Sequence, residues 1–389
     1  MPERVKPVRM LDKPHSVLRG AFQALLCSML LLCATASLAS AQADRASIGS
    51  APVFPPLGVE RGASRKAWAA AAALSRGVNL AVYAAPREGD WGLRMDEQWI
   101  ETLAKAGFRS VRLSVRWSNH ASAGPQAVLD EAFARRIDRV VEALLANDLR
   151  VVMNMSFYSQ LNGWALHEGE TPVAAAVVRT RFVNIWRQLA QRHAHRSDRL
   201  LFELYNAPQG NAQEWNRLAA VTVAVIRQSN PSRIIVIAPM RNDAANLPYL
   251  SLPRDAHLMV TIHNREPQTF TSQGSPWFAG SEEWLGTPCC NERQRLELAR
   301  NLDRAKAWSD VHRYPVWLGS FGAASTAPMD SRARYLRQMR DAAEARGMSW
   351  SHADFAANFN VQDPPLDSGI YDVVKRQWHR SLLDALLGP

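Results

Sequence analysis

Leu200-Leu201-Phe202-Glu203-Leu204-Tyr205-Asn206-Ala207-Pro208 is an apolar run of strand length that ends in small and turn-forming residues. A distant stretch, Pro315-Val316-Trp317-Leu318-Gly319-Ser320-Phe321-Gly322-Ala323, is built the same way. Working outward, residues 76–80, 108–117, 151–155, 234–237, 258–263 and 349–355 give six more short apolar runs. Segments with apolar residues at helical spacing separate them. The strongest is 129–146, with Ile137, Val140, Val141, Leu144 and Leu145 on one face. Residues 95–107, 173–192, 215–227, 292–308, 332–345 and 371–387 read as further helices. Strands and helices in such alternation predict an α/β protein whose parallel sheet closes into a single-domain (β/α)8 barrel.

The chain has 389 residues, 47% of them hydrophobic, which is enough for one barrel with its insertions. Residues 1–43 read as a signal peptide. Arg4, Lys6, Arg9, Lys13 and Arg19 form a basic leader, residues 20–36 are apolar, and small residues around Ala41 and Ala43 provide cleavage sites. Cys27 and Cys33 each follow a leucine, so neither has the small residue that a lipid-anchored leader places before its cysteine. Residues 44–64 are polar, with Pro52, Pro55 and Pro56, and read as a linker or arm; the barrel then spans 65–389. The expected location is secreted or periplasmic. The formal charge is +10, and removing a leader with five basic and two acidic residues leaves the chain basic. That suits weak attraction to acidic polymers and suits an ordinary basic soluble protein equally well. After cleavage only the adjacent Cys289 and Cys290 remain, so no disulfide framework and no zinc-type spacing exist, and neither metal nor cofactor is expected.

Several segments together resemble the cellulase-type glycoside hydrolases of family 5, over roughly residues 76–387. Arg76-Gly77-Val78-Asn79 resembles that family's first strand, and Arg112 stands where the family places an arginine on strand two. Residues 182–190 are similar to the family's third helix. Asn206-Ala207-Pro208 keeps two of the three residues of its Asn-Glu-Pro motif, and His263 stands at the strand-six histidine. Phe270-Thr271-Ser272-Gln273-Gly274-Ser275-Pro276-Trp277 resembles a Phe-Thr-His-Gln-Gly-Ala-x-Trp loop. The resemblance implies a (β/α)8 barrel and a retaining mechanism on polysaccharide.

The departures gather at one place. A retaining glycosidase uses two carboxyls about 5–5.5 Å apart, one as nucleophile and one as acid/base. By the resemblance these fall at Ser320 (nucleophile) and Ala207 (acid/base), and both carboxyls are missing. The strand-three histidine falls at Ser156 or Phe157, the tyrosine after the strand-six histidine at Arg265, and the strand-eight tryptophan at Ala353. Five losses around one sugar position, on a scaffold otherwise kept, point to a non-catalytic member that binds a polysaccharide or oligosaccharide. An active β-glucan hydrolase with relocated carboxylates, and a protein-interaction scaffold in exopolysaccharide handling, are the alternatives. A serine nucleophile at 320 would need a positioned base, and no Gly-x-Ser-x-Gly elbow surrounds it.

The candidate binding residues are Arg112, Asn206, His263 and Arg265, with Trp117, Trp164 and Trp277 after strands two, three and six. An indole in that position either stacks on a sugar's apolar face or packs within its loop. Arg112, Arg116 and Arg265 either make the cleft floor cationic, favouring an acidic glycan, or pair with Glu203, Glu266 or Asp354. Glu203 has inward parity and reads as the buried partner of a strand-two arginine. Ala207 shares its parity with Glu203 and Tyr205. Glu168, Glu170 and Asp243 stand on loops that could edge the cleft. His193 and His195 end a helix amid charges and read as a solvated face. A monomer is expected, with no nucleic-acid partner and no membrane anchor once the leader is removed.

Overall fold

The computed structural model describes residues 62–90, 92–166, 170–275, 278–357 and 368–388. The expected signal peptide, nearly all of the arm, Glu168 and Trp277 lie outside these described residues.

Helix α1 (Arg65–Leu74) comes first, started by Ser64, whose hydroxyl accepts from the Ala67 N–H. Its alanines allow close approach. Ala67, Ala71 and Leu74 seal the base of the barrel against Val152, Leu201, Val236, Met259 and Trp317. The barrel then runs through β1 (Arg76–Tyr83), α2 (Gln98–Ala106), β2 (Ser110–Val115), α3 (Glu131–Ala146), β3 (Arg150–Met155), α4 (Val178–Arg192), β4 (Leu200–Glu203) and α5 (Ala212–Arg227). It continues with β5 (Ile235–Ile237), β6 (Leu258–Asn264), the short α6 (Gln268–Thr271), α7 (Glu292–His312), β7 (Val316–Phe321), α8 (Met329–Glu344) and β8 (Trp350–His352). Three two-residue strands, β9 (Ala356–Ala357), β10 (Tyr371–Asp372) and β11 (Gln377–Trp378), precede the final helix α9 (Arg380–Leu387). Each of the first seven strands pairs in parallel with the next, and β8 pairs in parallel with β1, closing the (β/α)8 barrel that the alternation predicts. On α3 the Asp130 cap and the buried row Ala134, Ile137, Val140, Val141 and Leu144 account for both the start of the helix and its docking face. No described helix is long and apolar enough to cross a membrane.

Two expectations fail locally. Residues 371–379 form a hairpin rather than the start of a helix. Asp372 Oδ1 accepts from the N–H groups of Val374 and Lys375, turning the chain, and Tyr371 lies opposite Trp378. Between β5 and β6, where no helix is read from the sequence, the chain holds two 3-10 turns, Met240–Asn242 and Ala244–Tyr249, and Pro239, Pro248 and Pro253 punctuate it. His193 is not on a solvated face. It is fully buried at the end of α4, its ring edge near Phe202, and desolvation lowers its pKa to about 4. The reason is that the Arg233 guanidinium reaches across to cap this helix end, donating to the His193 carbonyl at 2.8 Å. Cys289 and Cys290 are joined to each other by a disulfide.

Candidate functional site

The site grows from the inward faces of the strands at their C-terminal ends. Arg112 on β2 and Glu203 on β4 meet inside the barrel. Arg112 Nε donates to Glu203 Oε2 and Nη2 to Oε1, both at 2.6 Å. Neither side chain is appreciably exposed, so this is a buried, two-pronged ion pair whose charges are satisfied mutually. The inward parity of Glu203 anticipates it. Arg112 Nη2 also donates to Asn206 Oδ1 at 3.1 Å.

From there the network crosses the mouth. Asn242 Nδ2 donates to Asn206 Oδ1 at 3.1 Å and to His263 Nε2 at 2.7 Å. Asn242 Oδ1 accepts from the Ala207 N–H at 2.9 Å. Asn242 is buried and sits in the left-handed region (φ 54°), which asparagine tolerates. It ties three of the site positions together, and the sequence reading passes over it in favour of its neighbour Asp243. The one available signal was a polar Arg241-Asn242-Asp243 turn directly after strand five. Asp243 instead caps the next 3-10 turn, accepting from the Ala245 N–H.

His263 is half-buried, and its pKa lies well below the ordinary histidine value. Desolvation is the main cause, with the positive charges of Arg112 and Arg265 adding to it. It is therefore neutral and can accept from Asn242. On the barrel wall His263 pairs in register with Ser320 of β7, which is nearly buried. Ala207 lies just past β4, half-buried, with φ 51°. It does not share a face with Tyr205. The ladder ends at Glu203, and Tyr205 turns outward against Phe182 of α4 and Trp215 of α5. Asn206 faces in. Past β8, Ala353 donates its N–H to the Phe321 carbonyl at 2.7 Å.

The three arginines part company. Arg112 is paired with Glu203. Arg116 is also buried, but against none of the three carboxylates expected. Its Nη1 donates to Glu170 Oε1 at 2.6 Å and its Nε to the Ala84 carbonyl at 2.7 Å, while its guanidinium covers the Phe157 ring. Ser159 Oγ donates to the same Glu170 oxygen at 2.9 Å. Arg116 and Glu170 therefore pin the β3–α4 loop and do not form the cleft floor. Arg265 is exposed and forms no ion pair among the described residues. Arg265 follows directly on the end of β6, and its charge acts on His263 while those of Arg112 and Asp354 act on it, which places it near the site.

The aromatic candidates divide as well. Trp117 is 0% exposed, its ring centroid 5.5 Å from that of Phe133 of α3 in an edge-to-face contact, because a 3-10 turn right after β2 carries it outward. It is a core residue and not a sugar platform. Trp164 is 42% exposed on the β3–α4 loop. Two interior polar side chains of that strand region, the Asn154 amide and the Ser156 hydroxyl, are buried with no hydrogen-bond partner among the described residues. Asn154 stands level with Glu203 in the ladder. Polar groups so placed are ordinarily satisfied by water or ligand. The described residues hold no cluster suited to a metal ion.

Comparison with known proteins fits this barrel. The chain is 29% identical over 323 residues to endoglucanase H of Acetivibrio thermocellus, covering 81% of this chain but 33% of that protein. It is 29% identical over 187 residues to cellodextrinase A of Ruminococcus flavefaciens, 46% of this chain and 54% of that one. The chain thus spans a third to a half of these relatives. Among solved structures, endoglucanase Cel5A of Thermotoga maritima superposes with a TM-score of 0.74 at 30% identity, over 82% of this chain and 99% of that one. Cellulose synthase subunit Z of Clostridioides difficile does so with a TM-score of 0.71 at 28% identity, over 81% and 99%. Residues 71–359 match the description Cellulase (glycosyl hydrolase family 5), and with well over half of its length matched, the chain belongs to that family.

Proposed function

We propose that this protein is an exported polysaccharide- or oligosaccharide-binding member of the family that does not hydrolyse its glycan by the retaining mechanism. The observation that carries the reading is the pair Ala207 and Ser320, where the resemblance places the acid/base and the nucleophile. Glu203, the carboxylate nearest to Ala207 in sequence, does not replace either one. Arg112 grips both of its oxygens below the mouth, so neither is free to meet a sugar. The likeness to a cellulose synthase subunit Z supports a place in exopolysaccharide handling, with the leader-like residues 1–43 supporting a periplasmic or secreted location. A reducing-sugar assay on soluble β-1,4-glucan tests the reading. No turnover above the reagent blank is expected, and robust turnover would overturn it in favour of relocated carboxylates.

Of the candidate indoles among the described residues, Trp164 is the exposed one. Trp164→Ala is expected to weaken cello-oligosaccharide binding by about 1–3 kcal/mol, read by isothermal titration calorimetry. Trp117→Ala is expected to lower the unfolding midpoint instead, since its ring is in the core. Unchanged affinity in the Trp164 variant would remove this ring from the binding surface.

A further inference from the structure

Arg265 differs from the other two arginines at the mouth. Arg112 and Arg116 each have a buried carboxylate within 2.6 Å. Arg265 has none within ion-pair distance among the described residues. The acidic groups near it are Asp354, past β8, and Glu266, its own neighbour. Glu266 turns along its loop, its Oε2 accepting from the Gln268 N–H at 3.2 Å. Asp354 attracts the guanidinium through space, from beyond ion-pair distance. Arg265 is exposed, so a ligand can reach its guanidinium. Its pKa is lowered, first by desolvation and also by the like charge of Arg112, while Asp354 opposes the shift. A ligand carboxylate could come within ion-pair distance, which Asp354 does not.

Ala207, Ser320 and Ala353 are small where the resemblance places two glutamates and a tryptophan. His263, two residues before Arg265, is in register with Ser320, which sets Arg265 and the end of β7 on the same part of the rim. His263 is neutral, so it adds no second cation and can meet a sugar hydroxyl. A guanidinium presents parallel N–H donors that match the two oxygens of a carboxylate. We propose that Arg265 receives the carboxylate of a hexuronate residue, so that the glycan bound in this cleft is an acidic one. The inference rests on the glycan-binding reading above and names its ligand class.

The test is calorimetric titration of the full chain with cellohexaose and with the same oligosaccharide oxidised to the carboxylate at C6. Wild type is expected to bind the carboxylated oligosaccharide at least tenfold more tightly, with the ratio shrinking as salt rises, because a partly exposed charge is screened over about 10 Å at 0.1 M ionic strength. Arg265→Gln is expected to bring the two ligands to equal affinity. Arg265→Lys, which keeps the charge and loses the fork, should fall between them; it also guards against a glutamine variant that folds poorly. Equal binding of both ligands by wild type overturns the acidic-ligand inference alone. Binding of neither overturns the glycan-binding reading and this inference with it.

Discussion

Glu203→Ala is expected to lower the unfolding free energy by about 3–5 kcal/mol, because it strands the Arg112 guanidinium in the barrel without its counter-ion. Arg112 would retain only the Asn206 Oδ1 contact at 3.1 Å, a single acceptor for a group with five donors. The reciprocal Arg112→Ala leaves a carboxylate with no exposed surface and should cost a similar amount. Truncating both should cost less than the sum of the two, since the second removal relieves the charge that the first has stranded. Denaturant unfolding of the two single variants and the double variant gives the coupling directly. A loss under about 1 kcal/mol for Glu203→Ala would show that solvent from the mouth reaches Arg112 and satisfies it. The pair also holds the site together. Through Asn206 and Asn242 it is linked to His263 and to the Ala207 backbone, so glycan affinity should fall along with stability.

The legible parts of this molecule are those where periodicity carries over from sequence to structure. Eight apolar runs separated by helical segments have few ways to bury their faces other than a closed parallel barrel. On β2 and β4 inward parity is enough to bring Arg112 to Glu203. Parity stops being informative where the ladder ends. Tyr205 lies two residues past Glu203 yet faces outward, because the chain leaves the sheet after β4 and the ring finds Phe182 and Trp215. Trp117 stands two residues past the end of β2 and is buried by a 3-10 turn. A tryptophan in a loop reads the same whether it faces sugar or core, since no repeating pattern fixes its direction. Arg116 finds Glu170, which is 54 residues away on a loop and offers no spacing to connect them. Asn242 was missed for the same reason, its importance lying in three hydrogen bonds made across separate loops.

Introducing carboxylates at both positions the resemblance points to, Ala207→Glu with Ser320→Glu, is expected to give an enzyme that remains orders of magnitude below a functioning retaining glycosidase. Catalytic groups that act as a unit commonly account for on the order of 10⁶ in rate, and the two glutamates are only part of the unit here. The backbone at position 207 is not the obstacle. Alanine already holds φ 51°, so a glutamate would inherit a conformation the fold maintains. The obstacle is what surrounds the new groups. A glutamate at 320 would face Arg265, two residues past its register partner His263, and that cation would hold it as a stabilised anion and blunt its nucleophilicity. Ala353 offers no aromatic floor where the resemblance places a tryptophan, so the sugar could not be pressed into a reactive pose. Phe157, at the family's strand-three histidine or next to it, is committed to the Arg116 guanidinium 4.9 Å from its ring centroid. Positioning of this kind supplies several kcal/mol of a barrier reduction, roughly 7–11 at its best, and two carboxylates cannot replace it. A reducing-sugar assay with mass spectrometry after a fluorinated-sugar trap checks the outcome. Slow turnover, or a glycosyl-enzyme that forms only sluggishly on the carboxylate introduced by Ser320→Glu, is the expected result. Adding Arg265→Tyr to the pair should raise the rate, because it removes the cation that holds the nucleophile. Near-normal rates in the double variant alone would mean that the sugar position is intact and that only the two carboxyls separate this barrel from an active hydrolase.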